Sequence, residues 1–260
     1  MRIIVTTTQA GRSPDEMLCS FLRETGLPFV PRDRKALPLL CREQDVEAII
    51  VWRPEGPVLY SGTDLEEFYF HPSMAKNRLS GLRKIGQPDP FIEACQLEIG
   101  RSFLDCTMGR GADSIVASYV CGPDYVISLE SVLSIALTMK WGMKLYRSQM
   151  PWLDNAIHGI RVEHANHNEF LMQAGDQSFD VVYFDPMFRH PRHKSQPISA
   201  LRQLADHSPL ELDAIKEACR VARCRVVLKE TFSSGEFQRL GFERIMGSPH
   251  NPISYGVIEV

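Results

Sequence analysis

The stretch "SFLDCTMGRGADSIVASYVCGPDYVISLE", residues 102–130, decides the fold. "SFLDC" reads as a strand. Two glycines at alternate positions, Gly109 and Gly111, follow its end, where they let the backbone pass close to a ligand and start a helix tightly. "GADSIVASYVCG" reads as that helix, stopping at Gly122, and "YVISLE" as a second strand ending in Glu130. A strand, a crossing helix and a further strand form one βαβ unit, which sets both strands parallel in one sheet.

The alternation continues outward. Downstream come the helix "SVLSIALTMKWGMKLY", the strand "IRVEHA", the short helix "NEFLMQA" and the strand "FDVVYFD". Then follow the helix "SPLELDAIKEACRVA" with Ser208 as its cap, the strand "CRVVLKE", a short helix near 235–240, and the strands "FERIM" and "SYGVIEV". This predicts a doubly wound, mostly parallel α/β sheet over 103–260, with helices on both faces. The short last connection predicts a hairpin, with the final strand antiparallel at the sheet's end. Upstream, 71–102 reads as a basic connector with its own helices, among them "PDPFIEACQL". Residues 1–70 read as a small α/β domain. "RIIVT" is its first strand, and "EAIIVW" and "PVLYS" are strands about the turn "RPEG". "SPDEMLCSFLRETG" is a helix with Ser13 as N-cap, Pro14 at the first position, Glu16 closing a capping box and Gly26 as the stop.

With 260 residues, 44% of them hydrophobic and 23% charged, the chain can bury a full core without staples. Its longest apolar runs have strand length, so no membrane span is expected, and "MRIIVTTTQAG" lacks the apolar stretch of a signal peptide. The seven cysteines form no C-x-x-C pair, which suits reduced thiols in a cytoplasm and no zinc site. Cys106 reads as a small buried hydrophobe. The net charge of −3 argues against a nucleic-acid binder, but the charges are unevenly spread. Residues 43–67 carry seven acids against Arg53. Three later segments carry no acid: 71–84 with Lys76, Arg78, Arg83 and Lys84; 189–202 with Arg189, Arg192, Lys194 and Arg202; and 220–229 with Arg220, Arg223, Arg225 and Lys229. Such clusters can grip phosphates on an acidic protein, although each can also be a solvated face.

Ligands of such sheets bind beyond the carboxyl ends of the strands. The loop "DCTMGRGAD", 105–113, lacks the Gly-Lys-Ser/Thr of a phosphate loop, and Ser114 stands where a dinucleotide fingerprint has its third small residue. Asp105 before the glycines suits a cationic ligand group better than a pyrophosphate, with a plain turn as the alternative. Glu130, about twenty residues on, suits the two hydroxyls of a ribose, with a dipole-favoured helix start as its alternative. His164 and Asn166 could border an adenine edge or cap the next helix. In "DPMF", Asp185 could accept one N–H of an exocyclic amine, the Pro186 carbonyl the other, and Phe188 could stack on the ring, so that the gain is positioning. An Asp-Pro turn is the alternative.

Together these strand ends resemble class I S-adenosylmethionine-dependent methyltransferases, with a Rossmann-like sheet. Asp105-x-Thr107-x-Gly109-x-Gly111 resembles their cofactor loop, Glu130 their ribose acid, and Asp185-Pro186-Met187-Phe188 the Asp/Asn-Pro-Pro-aromatic motif of amine methyltransferases. "DCTMGRG", "YFDPMFR" and Lys229 at a strand end are similar, more narrowly, to the bacterial ribosomal-RNA methyltransferases that modify a guanine amine of the small-subunit RNA; the likeness covers roughly 71–245. It implies S-adenosylmethionine as cofactor and no metal. Thr107, Gly109 and Gly111 would wrap the methionine part, with Asp105 near its ammonium; Asp113, Glu130 and Asn166 complete the implied cofactor set. Asp185, Pro186 and Phe188 would hold the target amine. Lys76, Arg78, Arg83, Lys84, Arg189, Arg192, Lys194 and Lys229 would meet RNA, either ribosomal RNA or the small subunit, and the segment 220–225 would also grip phosphates. A different amine substrate (DNA, protein or small molecule), a non-catalytic nucleotide- or RNA-binding module and an NAD-linked enzyme are the competing readings.

Overall fold

The computed structural model describes residues 1–8, 14–62, 64–186, 208–248 and 252–260. They divide into two compact units, one of 1–71 with 132–147, the other of 72–131 with 148–186 and the described residues from 208 onward.

The first unit is built on a four-stranded sheet. β1 (Ile3–Thr7) lies parallel to β2 (Ala48–Arg53), and β3 (Gly56–Ser61) and β4 (Glu66–Tyr69) continue antiparallel. Sequence reading missed β4, whose "EEFY" carries two acids in four residues. Helix α1 (Glu16–Thr25) starts at Asp15, whose carboxylate accepts from Leu18 N at 2.7 Å, and stops at Gly26 with φ 66°. Asp15 thus holds the N-cap that the sequence assigned to Ser13, which lies outside the described residues. Helix α2 (Leu37–Gln44) covers Ile4, Ile49 and Val51 with Leu40. Helix α6 (Leu133–Leu145) belongs to this unit, although the sequence reading places it in the large domain. Its Trp141 meets Phe21 of α1 and Trp52 of β2, with ring centroids 5.5 and 5.9 Å away. Gly142 admits Phe70, for a Cβ there would stand 2.4 Å from that of Phe70.

The second unit carries the predicted parallel sheet. Its strands are β5 (Phe103–Asp105), β6 (Val126–Glu130), β7 (Ile160–His164), β8 (Phe179–Phe184), β9 (Ala222–Glu230), β10 (Arg244–Met246) and β11 (Ser254–Glu259), in the spatial order β10-β11-β9-β8-β5-β6-β7. β11 is antiparallel to both its neighbours, as the hairpin reading required. It inserts between β9 and β10, however, so β10 forms the edge. The short β10 leaves little unpaired backbone exposed there.

Helices cover both faces. Helices α3 (Ser73–Ile85), α4 (Pro90–Cys95) and α5 (Ala112–Cys121) lie on one, where Phe91 packs against Phe103 and Tyr183 at 5.8 and 5.0 Å. The segment expected as a connector is therefore part of this unit. On the other face lie α8 (His167–Gln173) and α9 (Leu212–Val221). Ala214, Ile215, Ala218 and Val221 share one stripe of α9 and bury against Val182, Phe184, Val226 and Leu228. Glu211, without a side-chain bond, stands at the N-cap assigned to Ser208. The unit also contains α7 (Pro151–His158), opened by its proline and not foreseen, and α10 (Glu236–Arg239). From β5 the chain winds to β6 and β7, then returns to β8 and β9 on the opposite side. The strand order thus reverses between β5 and β8, and ligands of such sheets bind beyond the carboxyl ends of the strands at that point.

Candidate functional site

Beyond β5 the chain makes the loop that the two glycines foretold. Gly109 and Gly111 take φ values of 50° and 68°, which favour glycine, and Gly111 starts α5. Three bonds anchor the loop: Met108 N to Leu129 O at 2.9 Å, Gly111 N to Met108 O at 2.8 Å, and Gly109 N to the Glu130 carboxylate at 3.3 Å. Glu130 therefore borders the glycine loop from the end of the neighbouring strand. Asp105 is buried and accepts from Thr107 N at 3.0 Å and from Ser114 Oγ at 2.5 Å. Burial pushes its carboxyl up to about 7, with Asp113 and Asp185 adding to the rise against the two hydrogen bonds. Ser114, the residue that breaks the dinucleotide fingerprint, thus has a task of its own under Asp105.

At the end of β8, Asp185 N donates to Thr107 Oγ1 at 2.6 Å, which ties the "DP" motif to the glycine loop. The Asp185 carboxylate terminates a chain of charges drawn from five elements. Lys229 Nζ of β9 donates at 2.8 Å to Asp185 Oδ2 and at 2.8 Å to Asp113 Oδ2 of α5. Tyr183 Oη of β8 donates to the same Asp113 oxygen at 2.8 Å. Arg78 of α3 reaches Asp113 Oδ1 at 2.5 Å and forks onto Asp89 at 2.8 and 2.9 Å; Asp89 in turn caps α4 through Phe91 N. Side-chain exposure is least at Asp113, 7%, and rises on either side of it, to 26% at Arg78 and through 15% at Lys229 to 29% at Asp185. Burial works to lower the Lys229 ammonium, but Asp113 and Asp185 outweigh it and keep the group protonated. Burial would raise Asp113, yet Lys229 and Arg78 hold it well below the usual carboxylate range. At Asp185 burial prevails and pushes the carboxyl up, against the pull of Lys229.

Four residues expected at the RNA or the cofactor have partners within the fold. Arg78 and Lys229, expected at the RNA, are engaged by carboxylates of the fold: three of the five guanidinium hydrogens of Arg78 go to Asp89 and Asp113, and Lys229 bridges Asp113 and Asp185. Asp113, expected at the cofactor, faces these two cations and Tyr183. Asn166 caps α8 by accepting from Asn168 N at 2.9 Å, the alternative its sequence context left open. The segment 220–225 lies at the amino end of β9, opposite the strand ends that carry Asp105, Glu130 and Asp185. There Arg220 pairs with Asp176 and Glu217, Arg223 with Asp180, and the buried Arg225 with Glu259. These arginines take their partners from within the fold. On α3, Lys76, Arg83 and Lys84 are exposed, and Arg83 lies over the Trp152 ring at 4.4 Å. Phe188, Arg189, Arg192 and Lys194 lie outside the described residues, while Pro186 is described two residues beyond the end of β8. Sequence reasoning overlooked Tyr183 and Asp89. A phenol inside an apolar strand was the available signal, because a buried hydroxyl needs a partner. Cys106 is buried, and burial raises its thiol well above the ordinary range. Among the described residues no group of His, Cys, Asp and Glu could hold a metal ion, and no helix is long and apolar enough to cross a membrane.

The strand-end carboxylates Asp105, Glu130 and Asp185, with Lys229 already committed, suit a cationic ligand bearing a ribose. Comparison with known proteins agrees. The family model described as "Putative SAM-dependent methyltransferase" matches residues 70–237. The protein YpiP of Bacillus subtilis, whose name carries no function, is 34% identical over 238 residues, 91% of each chain. The ribosomal RNA small subunit methyltransferase J of Buchnera aphidicola is 32% identical over 135 residues, and the match spans 49% of this chain and 51% of that one. A solved S-adenosylmethionine-dependent methyltransferase from Neisseria gonorrhoeae aligns over 99% of this chain and 95% of its own, with a TM-score of 0.63; at 16% identity it speaks for the fold alone.

Proposed function

Because the chain belongs to the family of S-adenosylmethionine-dependent methyltransferases, we propose that it methylates the exocyclic amine of a nucleobase, a guanine of small-subunit ribosomal RNA. The observation that carries this reading is Asp185-Pro186 at the end of β8, bound through Asp185 N to Thr107 of the glycine loop. That bond sets an amine acceptor beside the cofactor loop, across the point where the strand order reverses.

S-adenosylmethionine supplies an electrophilic methyl: the amine nitrogen forms the new N–C bond as the C–S bond breaks, the sulfur leaves as a neutral thioether, and the nitrogen sheds a proton. The chain's own residues bind and orient. Thr107, Gly109 and Gly111 border the methionine part, Asp105 faces its ammonium and Glu130 holds the ribose. Asp185 accepts one amine N–H and the Pro186 carbonyl the other, which turns the nitrogen lone pair toward the methyl. Phe188 stacks on the base. The carboxylate then takes up the proton that leaves the methylated nitrogen and passes it to water. The exposed Lys76, Arg83 and Lys84 of α3, with Arg189, Arg192 and Lys194, meet the phosphates of an RNA whose target base is extruded from its stack. The partial match to proteins named ribosomal RNA small subunit methyltransferase J supports RNA as the acceptor.

The test uses tritiated S-adenosylmethionine with small ribosomal subunits, stripped ribosomal RNA and total protein, all from cells lacking this gene. Label is expected in one RNA fraction, absent with Asp185→Ala, which still binds S-adenosylhomocysteine. Label in protein, or in no macromolecule, would transfer the amine to another substrate class.

A further inference from the structure

We infer that Arg78, Asp113 and Lys229 form a positioning relay that fixes the Asp185 carboxylate, holding Oδ2 and presenting Oδ1 to the substrate amine. The inference rests on the amine-binding role proposed for Asp185. None of the three is a catalytic residue; each acts through its neighbour.

The geometry supports this on three counts. First, the contacts run unbroken from Asp89 at the cap of α4, through Arg78 of α3, Asp113 of α5 and Lys229 of β9, to Asp185, with each link between 2.5 and 2.9 Å. A part-exposed aspartate at a strand end has χ freedom, and a carboxylate that must accept a particular N–H gains from losing it beforehand. Second, Lys229 takes only Oδ2 of Asp185, and among the described residues no hydrogen bond engages Oδ1. Third, the set carries three carboxylates, Asp89, Asp113 and Asp185, against two cations, so one negative charge is left over at its open end. That surplus suits acceptance from an amine. The charged and titratable groups around Asp185 are Lys229, Asp113, Arg78 and, across β5, Asp105, with the Tyr183 phenol nearby. Of these, Lys229 is the cation in direct contact, so it opposes protonation of the carboxylate that burial favours.

The relay also gives α3 two faces with different tasks. Lys76, Arg83 and Lys84 look outward, while Arg78 of the same helix is inserted into the relay. A phosphate contact and a relay member respond differently to mutation, which makes the inference testable.

Two variants decide it, assayed on whichever acceptor the wild type labels, so that a non-RNA acceptor would sink the substrate reading and leave the relay open to trial. In Lys229→Met, kcat is expected to fall about a hundredfold, as for a misplaced catalytic group. The acid limb of its pH profile should move to higher pH, because the opposing cation is gone, and Lys229→Arg should bring the limb back. Arg78→Met should lower kcat with KM for the acceptor and its salt dependence unchanged. Both variants should bind S-adenosylhomocysteine as the wild type does. A rise in KM for the acceptor in Arg78→Met, with a salt slope reduced by about one, would make Arg78 a phosphate contact and overturn the relay. So would a Lys229→Met protein with unchanged kcat and an unmoved acid limb. If Lys229→Met fails to fold, Arg78→Met, at the far and more exposed end, decides alone.

Discussion

Asp105 is the group whose protonation should govern cofactor affinity. It lies buried at the end of β5, and burial lifts its carboxyl from the ordinary 3.8 to about 7. If it must be ionised to face the ammonium of the cofactor, binding below pH 7 has to expel its proton. The dissociation constant of S-adenosylhomocysteine should then weaken about tenfold for each pH unit below 7 and level off above. Between pH 8 and pH 5.5 that amounts to roughly thirtyfold. The same carboxyl has the opposite effect on the cofactor-free fold. A folded-state value above the unfolded one means that its stabilising contribution is complete below 3.8 and is lost as pH rises through about 7. At about 1.4 kcal/mol per tenfold, the gap sets an upper bound of about 4 kcal/mol at pH 8, shrinking to about 1 kcal/mol at pH 4.5. Asp105→Asn should therefore be more stable than wild type to urea at pH 8 in the absence of cofactor, with the difference shrinking at pH 4.5. It should also bind S-adenosylhomocysteine more weakly and without pH dependence. Isothermal titration calorimetry from pH 5.5 to 8.5 and urea unfolding at the two pH values read both effects. Wild-type affinity that stays flat over this range, or an Asn variant that binds as tightly as wild type, would refute the reasoning.

Two further outcomes test other parts of the structure. Asn166→Ala removes the bond to Asn168 N and should cost about 1 kcal/mol in urea unfolding, with S-adenosylhomocysteine affinity within about twofold of wild type; a tenfold loss of affinity would return Asn166 to the cofactor. Gly142→Ala drives a Cβ to 2.4 Å from that of Phe70 and should destabilise the protein by about 1–3 kcal/mol, more than the helix propensity gained, so melting at or above the wild-type temperature would contradict the packing described.

The places where reading the residues succeeded share a property. Asp105, Glu130 and Asp185 each close an apolar strand, and Gly109 and Gly111 each permit a backbone turn that few other residues make. Those signals lie within a few positions of the residue concerned. β4 escaped because its two acids mask the strand pattern, and α6 was given to the wrong unit because its sequence shows that it is a buried helix and not what buries it.

Charge was where local reading misled. The segment 71–84 and the segment 220–229 look alike in composition, each with four cations and no acid. In the fold, Arg78 meets Asp113 35 positions away, Lys229 meets the same residue 116 positions away, and Arg223 meets Asp180 43 positions away, while Lys76 and Lys84 remain in solvent. The sequence by itself determined which groups stand at the carboxyl ends of the strands, because hydrophobic period and turn chemistry act over a few residues. Only the tertiary structure decided which cations are spent inside the protein and which are left for a partner. That depends on the strand order β11-β9-β8-β5 and on the helices laid across it, for a buried charge takes its partner from whatever element the packing brings within 3 Å.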